Sequence, residues 1–257
     1  MLHDIDGLNT FVRLEGSGDS IVFVHGLGID HRVWEDQLLH FSHSHEVLAY
    51  DLRGHGQTDA PETGYAYSDY VNDLDSIIAE FLRPPVNLVG LSMGGAIAFQ
   101  YARKNPYNVM SLTLVGTHIC GYVSFDGWPN MYKIAKNDGR DAARDVWKNS
   151  RLFSSIKSDG SRWEKLCRMI DGFSCAPWTD PHPRYDDDHD YSLASEVTAP
   201  SLILSGTGDG DFRPVSEHLA LTLPDTRFES INCGHLINYE RPDEFNEALA
   251  AFLREVV

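Results

Sequence analysis

The sequence predicts an α/β fold: a mostly parallel sheet with helices on both faces and a helical insertion. Three observations carry that expectation. Short β-type runs alternate with helical patterns over residues 1–117 and again over 197–257, the rhythm of a parallel sheet covered on both sides. In "VNLVGLSMGGAIAFQYARK" (86–104), a serine stands between glycines where an apolar strand meets a helix. Residues 118–196 break the alternation with helical and aromatic segments.

Taken in order, "TFVRLE" (10–15) and "SIVFVHG" (20–26) read as strands with Gly16 and Gly18 in the turn between them. Their short connection predicts an antiparallel pair. "DHRVWEDQLLHF" (30–41) places Val33, Trp34, Gln37, Leu38 and Phe41 at helical spacing behind Asp30, a plausible N-cap. "EVLAYDLRG" (46–54) is a strand entering a glycine-rich loop. "SDYVNDLDSIIAEFL" (68–82) carries an apolar stripe of period 3.6, stopped by Pro84-Pro85. "VNLVGL", "GGAIAFQYARKN" and "VMSLTLVGT" (109–117) follow as strand, helix and strand. After the insertion come a strand (200–206), a helix with Pro214 in its first turn, a strand (226–231) and a closing helix (241–257).

The insertion offers helices at 129–137, 140–153 and 161–171, the last behind a capping-box pattern from Ser161 to Glu164. Four of the five tryptophans lie here: Trp128, Trp147, Trp163 and Trp178. We read it as a helical cap, 118–196, over a core domain of 1–117 and 197–257. Most of its aromatics pack on one another, while Trp128, Trp147 and Trp178 are candidates to line a pocket beneath.

Composition bounds the function. At 257 residues and 42% hydrophobic, the chain has ample material for one folded unit. No run of 18 apolar residues and no basic, apolar leader occurs, so a cytoplasmic protein without membrane contact is expected. The four cysteines, without a C-x-x-C spacing, read as reduced thiols. A net charge of −17 argues against nucleic acid and anionic membranes as partners. The charge is uneven: residues 118–196 hold 11 Lys/Arg against 13 Asp/Glu, leaving most of the excess acid on the core. Arg140, Arg144, Arg151, Arg168 and Arg184 are therefore candidates either for a substrate carboxylate or for salt bridges across the cap–core seam.

The chemistry starts at Ser92. A strand-to-helix turn this tight drives its central residue to positive φ, lifts its Oγ above the sheet and sets it at a helix N-terminus. A serine hydroxyl needs a base. His235, behind Gly234 in "INCGHLINYERP", follows a strand and precedes the last helix. The base in turn needs an acid to orient it. The loop "SGTGDGDFRP" supplies Asp209 and Asp211; Asp209 is favoured, Asp211 stays open, and Asp51 more plausibly anchors its own glycine-rich turn. Backbone N–H groups of Met93 and of Leu27, in "HGLG" (25–28), are placed to hold an oxyanion, with His25 shaping that loop. Neither "HFSHSHE" (40–46) nor "HPRYDDDHD" (182–190) matches a metal-ligand spacing.

Together, "HGLG", "DLRGHGQTD", "GLSMGG", the Gly206–Asp209 loop and Gly234-His235 make the chain resemble the serine hydrolases of the α/β-hydrolase fold, in the chain order serine, acid, histidine. "HGLGIDHRVWEDQ" is more narrowly similar to 3-oxoadipate enol-lactonase-like hydrolases, and also to the serine hydrolases that act as plant butenolide-hormone receptors. Thr58 stands where that family often has serine. The resemblance implies an eight-stranded sheet, the set Ser92, Asp209 and His235, and an oxyanion hole at Leu27 and Met93. It implies an acyl-enzyme mechanism that needs no metal or organic cofactor.

The expected substrate is a small, partly apolar ester or lactone, acted on by a monomer or homodimer. Two rival expectations share the same residues. One is hydrolysis of a C–C bond in a ring-cleavage diketone, separable by turnover of coloured dienones against p-nitrophenyl esters. The other is a receptor that holds its ligand and turns it over less than about once a minute, where enzymes commonly reach about 1–10³ per second.

Overall fold

A computed structural model describes residues 1–121, 129–180 and 190–256. Eight strands form one sheet: β1 (Leu2–Ile5), β2 (Leu8–Gly16), β3 (Ser20–Val24), β4 (Glu46–Tyr50), β5 (Val86–Leu91), β6 (Val109–Val115), β7 (Ser201–Gly206) and β8 (Thr226–Ile231). Their spatial order is β1-β2-β4-β3-β5-β6-β7-β8. β1–β2 and β2–β4 are antiparallel, and every other pair is parallel.

The expected antiparallel pairing of the 10–15 and 20–26 strands does not occur. β4 lies between them, with Val12 opposite Tyr50 on one side and Phe23 beside Ala49 on the other. The burial of each strand explains this. All five residues of β3 are buried, so it needs neighbours on both edges, which β4 and β5 supply. β2 keeps polar, part-exposed residues along its length and suits the sheet's flank. The four-residue β1 pairs only with β2; its "LHDI" is too short and too polar to stand out in the sequence.

The buried strands show the period of two that sends alternate side chains to opposite faces. Ile21, Phe23, Val47, Ala49, Val89 and Leu91 join one apolar cluster, while Val22, Val24, Leu48, Tyr50 and Leu88 join the other. On the first face pack α1 (Glu35–Phe41) and the terminal helix. On the second pack α2 (Tyr67–Phe81) and α3 (Met93–Lys104). Asp30 caps as expected, accepting from Arg32 N–H at 3.1 Å, although the first turn it opens (His31–Trp34) is 3₁₀ before α1 begins.

Between β6 and β7 the described residues form α4 (Met131–Asn137), α5 (Arg140–Lys148), α6 (Gly160–Gly172) and α7 (Ala176–Thr179), with short 3₁₀ turns and no strand. The expected 140–153 helix ends at Lys148, and Arg151–Phe153 form a separate turn capped by Ser150. The capping box at Ser161 is also corrected. Asp159 is the N-cap of α6, accepting from Arg162 N–H, so Ser161 lies inside the first turn. An aspartate two residues earlier offers the same acceptor and starts the helix sooner.

The chain closes with α8 (Arg213–Thr222), α9 (Ile237–Glu240) and α10 (Pro242–Glu255). α8 packs on the second face and α10 on the first. Among the described residues, no helix is long and apolar enough to cross a membrane.

Candidate active site

The parallel strands deliver their C-terminal ends, and the loops leaving them, to one edge of the sheet. β5 ends at Leu91, and Ser92 turns the chain into α3 with φ 55° and ψ −117°. That conformation is costly for a residue with a Cβ, and the glycines around it make it reachable. A Cβ on Gly90 would strike the Gly94 carbonyl, and one on Gly94 would strike the carbonyls of Val24 and His25. The turn is tied down by Ser92 N–H donating to Val115 O at 2.9 Å, while Ser92 O accepts from Gly95 N–H at 2.9 Å. Met93 is the first residue of α3, where backbone N–H groups lack intrahelical partners and point outward.

His235 and Asp209 come from the loops after β8 and β7. His235 Nδ1–H donates to Asp209 Oδ2 at 2.8 Å, and both side chains are almost fully buried, 3% and 2% exposed. This leaves Nε2 as the basic nitrogen of a neutral ring. Gly116, at φ +48°, lies directly against the pair: a Cβ there would come within 3.1 Å of His235 Nδ1 and 3.2 Å of Asp209 Oδ2. Phe212 packs on the imidazole with ring centres 4.7 Å apart.

The other aspartates are engaged elsewhere. Asp211 Oδ2 accepts from Arg151 Nε of the insertion at 2.6 Å. Asp51 accepts from His31 Nδ1 at 2.6 Å, from His31 N–H at 2.9 Å and from Gln57 N–H at 2.9 Å, bracing the loop after β4. Thr58 links that loop to β2, donating to Asp51 O at 2.6 Å and accepting from Phe11 N–H at 2.9 Å. His25 bridges two loops: Nδ1–H donates to Gly26 O at 2.8 Å, and Nε2 accepts from Leu52 N–H at 3.0 Å. Burial lowers its pKa, and these partners suit the neutral ring.

Sequence reasoning missed Glu240. Its carboxylate accepts from Gly234 N–H at 3.0 Å and from Leu236 N–H at 3.2 Å, bracketing His235 on both sides. The signal was present in "GHLINYE", but only the one-turn helix α9 brings position 240 back beneath 234 and 236.

Ser92, His235, Leu27 and Met93 line a single cavity of about 110 Å³. The cavity straddles the two apolar clusters. Ile29, Trp147, Leu152 and Phe153 come from one, and Tyr65, Tyr67 and Tyr70 from the other. Of the predicted aromatic liners, Trp147 reaches the cavity. Trp178 stands behind it, 5.5 Å from Trp147 and 4.8 Å from Phe173 between ring centres, while its neighbour Pro177 reaches the wall. Trp128 and Arg184 lie outside the described residues. His118, after β6, was not anticipated; it lines the cavity, and burial lowers its pKa to about 4, keeping it neutral at pH 7.

One group of potential metal ligands exists among the described residues: Asp30, His31 and Asp51, with donor atoms within 4.8 Å of one another. Its atoms already serve the fold. Asp30 forms a two-point ion pair with Arg32, at 2.8 and 2.5 Å, and Asp51 holds His31 and the Gln57 N–H. Nothing in that arrangement turns toward the cavity lining.

A family model described as "Alpha/beta hydrolase family" matches residues 21–248. A Bacillus subtilis (strain 168) protein named as a 2-succinyl-6-hydroxy-2,4-cyclohexadiene-1-carboxylate synthase is 28% identical, over 98% of this chain and 97% of its own. The 3-oxoadipate enol-lactonase 1 of Acinetobacter baylyi is 25% identical, over 100% of this chain and 97% of its own. Among solved structures, the enol-lactonase from Burkholderia xenovorans LB400 superposes with a TM-score of 0.89 at 23% identity, covering 99% of this chain and 100% of that one. At that identity the likeness concerns the fold.

Proposed function

The chain belongs to the alpha/beta hydrolase family, and within it we propose a serine hydrolase that cleaves a small, partly apolar carboxylic ester or lactone. One observation carries the reading: His235, held by the buried Asp209 at 2.8 Å, shares a cavity with a serine raised on a positive-φ turn.

In the first half-reaction Ser92 Oγ attacks the carbonyl carbon and passes its proton to His235 Nε2. Asp209 steadies the imidazolium that forms. The tetrahedral oxyanion rests on the Leu27 and Met93 N–H groups, each donor contributing about 3–4 kcal/mol to the transition state. His235 then protonates the departing alkoxide, leaving an ester on Ser92. In the second half, water gives a proton to His235, its oxygen attacks the acyl carbon, and Ser92 recovers its proton as the acid leaves. The apolar lining favours a compact, lipophilic acyl or alkoxy group.

The test is labelling by a fluorophosphonate together with turnover of a panel of esters, lactones and a coloured dienone. Wild type is expected to be labelled and to favour esters or lactones, and Ser92→Ala to lose both label and turnover. Persistent labelling of that variant, or a dienone as the best substrate, overturns the reading.

A further inference from the structure

The loop that carries the Leu27 N–H is held from two sides. In "HGLG" a glycine stands on each side of Leu27, and each admits a neighbour that a side chain would exclude. A Cβ on Gly26 would lie 3.2 Å from Ser92 Cβ and 3.3 Å from Leu91 O, so this glycine sets the loop against the turn of the serine. A Cβ on Gly28 would collide with Trp147 Nε1 and lie 2.9 Å from Trp147 Cδ1, so the edge of the indole rests on the backbone itself. Trp147 belongs to the insertion, at the end of α5, and is buried. The loop therefore lies between Ser92 of the core and an indole of the cap.

That indole is itself fixed. Arg144, one turn earlier on α5, donates through Nε to the Phe173 carbonyl at 2.8 Å. Ring centres run from Trp147 to Trp178 at 5.5 Å, on to Phe173 at 4.8 Å, to His55 at 4.5 Å and to His25 at 5.2 Å. His25 opens the same loop and donates from Nδ1–H to Gly26 O. Ser174 ties the insertion to the loop after β4, donating from N–H and Oγ to Gly54 O at 3.2 and 2.5 Å. These contacts close on themselves: they leave the "HGLG" loop at His25, cross into the cap at Phe173 and return to the loop at Gly28.

From this packing we propose that Trp147 is a positioning residue for the oxyanion hole: by bearing on Gly28, it holds the Leu27 N–H in the direction that the tetrahedral oxyanion requires. The proposal rests on the serine-hydrolase reading and gives the cap a part in the chemistry beyond walling the cavity. A loop with two glycines has wide backbone freedom of its own, so its alignment depends on what packs against it. Losing an oxyanion donor outright lowers kcat about 10²–10³-fold, and a displacement of about 1 Å can cost about 10²-fold. An indole pressed against the residue after Leu27 opposes such a displacement. Seating of the cap and assembly of the oxyanion hole are then one event. Leu152 of the same insertion lines the same cavity, whereas the atoms nearest to a Gly28 Cβ are those of Trp147.

The experiment compares p-nitrophenyl acetate with its thionoester, in which sulfur replaces the carbonyl oxygen. The leaving group and the attacked carbon are kept, and sulfur is the weaker hydrogen-bond acceptor, so the ratio of the two kcat/KM values reads the oxyanion hole. Wild type is expected to favour the oxygen ester at least about 100-fold. Trp147→Ala is expected to lower kcat for the oxygen ester about 10- to 100-fold with a smaller change in KM, and to cut the ratio about 10-fold. Trp147→Phe, which keeps a ring but withdraws the indole edge, should fall between wild type and Trp147→Ala, and it decides the matter should Trp147→Ala not fold. Leu152→Ala should slow both esters alike and keep the ratio. An unmoved ratio in the Trp147 variants makes Trp147 a wall residue only and overturns the proposal. So does an equal loss of ratio in Leu152→Ala, or a wild type that does not distinguish the two esters. Fluorophosphonate labelling of the wild type runs alongside. A labelled protein whose ratio ignores Trp147 sinks this proposal alone, whereas an unlabelled protein that cleaves neither ester sinks the serine-hydrolase reading and this proposal with it.

Discussion

Asp209 lies 2.8 Å from the His235 imidazole, while Asp211, two residues on, reaches 2.6 Å to Arg151 of the insertion. One loop thus divides its two carboxylates between the His235 ring and the seam. Asp209→Asn is expected to lower kcat about 10⁴-fold through loss of the imidazole's orientation and charge support. Asp211→Asn is expected to change it less than about 10-fold, because an exposed ion pair contributes about 0–1 kcal/mol. Steady-state kinetics on a p-nitrophenyl ester ranks the two, and the reverse order moves the acid to Asp211.

Glu240 braces the His235 loop through two N–H groups. Glu240→Ala leaves both donors without their acceptor and lets the imidazole drift. The expected cost is about 10- to 100-fold in kcat with KM nearly unchanged, and Glu240→Gln, which keeps one acceptor, should recover part of it. A KM effect without a kcat effect would remove Glu240 from this role.

Burial drives the His118 pKa down to about 4 from its ordinary 6.5. The sign follows from proton counting. Between pH 6.5 and 4 the unfolded chain holds a proton on this residue that the folded chain does not, so stability is full above about 6.5 and declines as pH falls. The decline from this group amounts to at most about 3 kcal/mol. His118→Asn is expected to flatten that acid limb in pH-dependent thermal unfolding, leaving the part that His25 contributes, since burial lowers its pKa too. An unchanged limb would mean His118 protonates as easily folded as unfolded.

Phe153 is 2% exposed and meets Trp147 edge-on at 5.8 Å on the cavity wall. Phe153→Ala is expected to destabilise the fold by about 3–5 kcal/mol and, in the protein that remains folded, to shift the preferred p-nitrophenyl ester toward longer acyl chains. Denaturant unfolding and a chain-length series read these separately. An unshifted optimum would place the acyl group against another wall.

The strand–helix alternation and the positive-φ turn at Ser92 could be read before any coordinates, because each is local. Apolar period, glycine spacing and capping leave their mark within a few residues. β1 was not legible, since four residues of "LHDI" carry no pattern until β2 lies beside them. The wrong pairing of β2 with β3 had the same origin: a short connection suggests a hairpin, and only the full burial of β3 shows that β4 must come between.

By itself, then, the sequence determined most of the elements and which side chains could do chemistry, for these depend on neighbours along the chain. The tertiary structure decided that Asp209 faces His235, that Trp147 reaches the cavity, and that Arg151 and Arg162 of the insertion pair with core aspartates. These outcomes depend on where distant segments meet: the sequence favours Asp209 but leaves Asp211 open, and the two separate only when β7, β8 and the Arg151 turn are packed together.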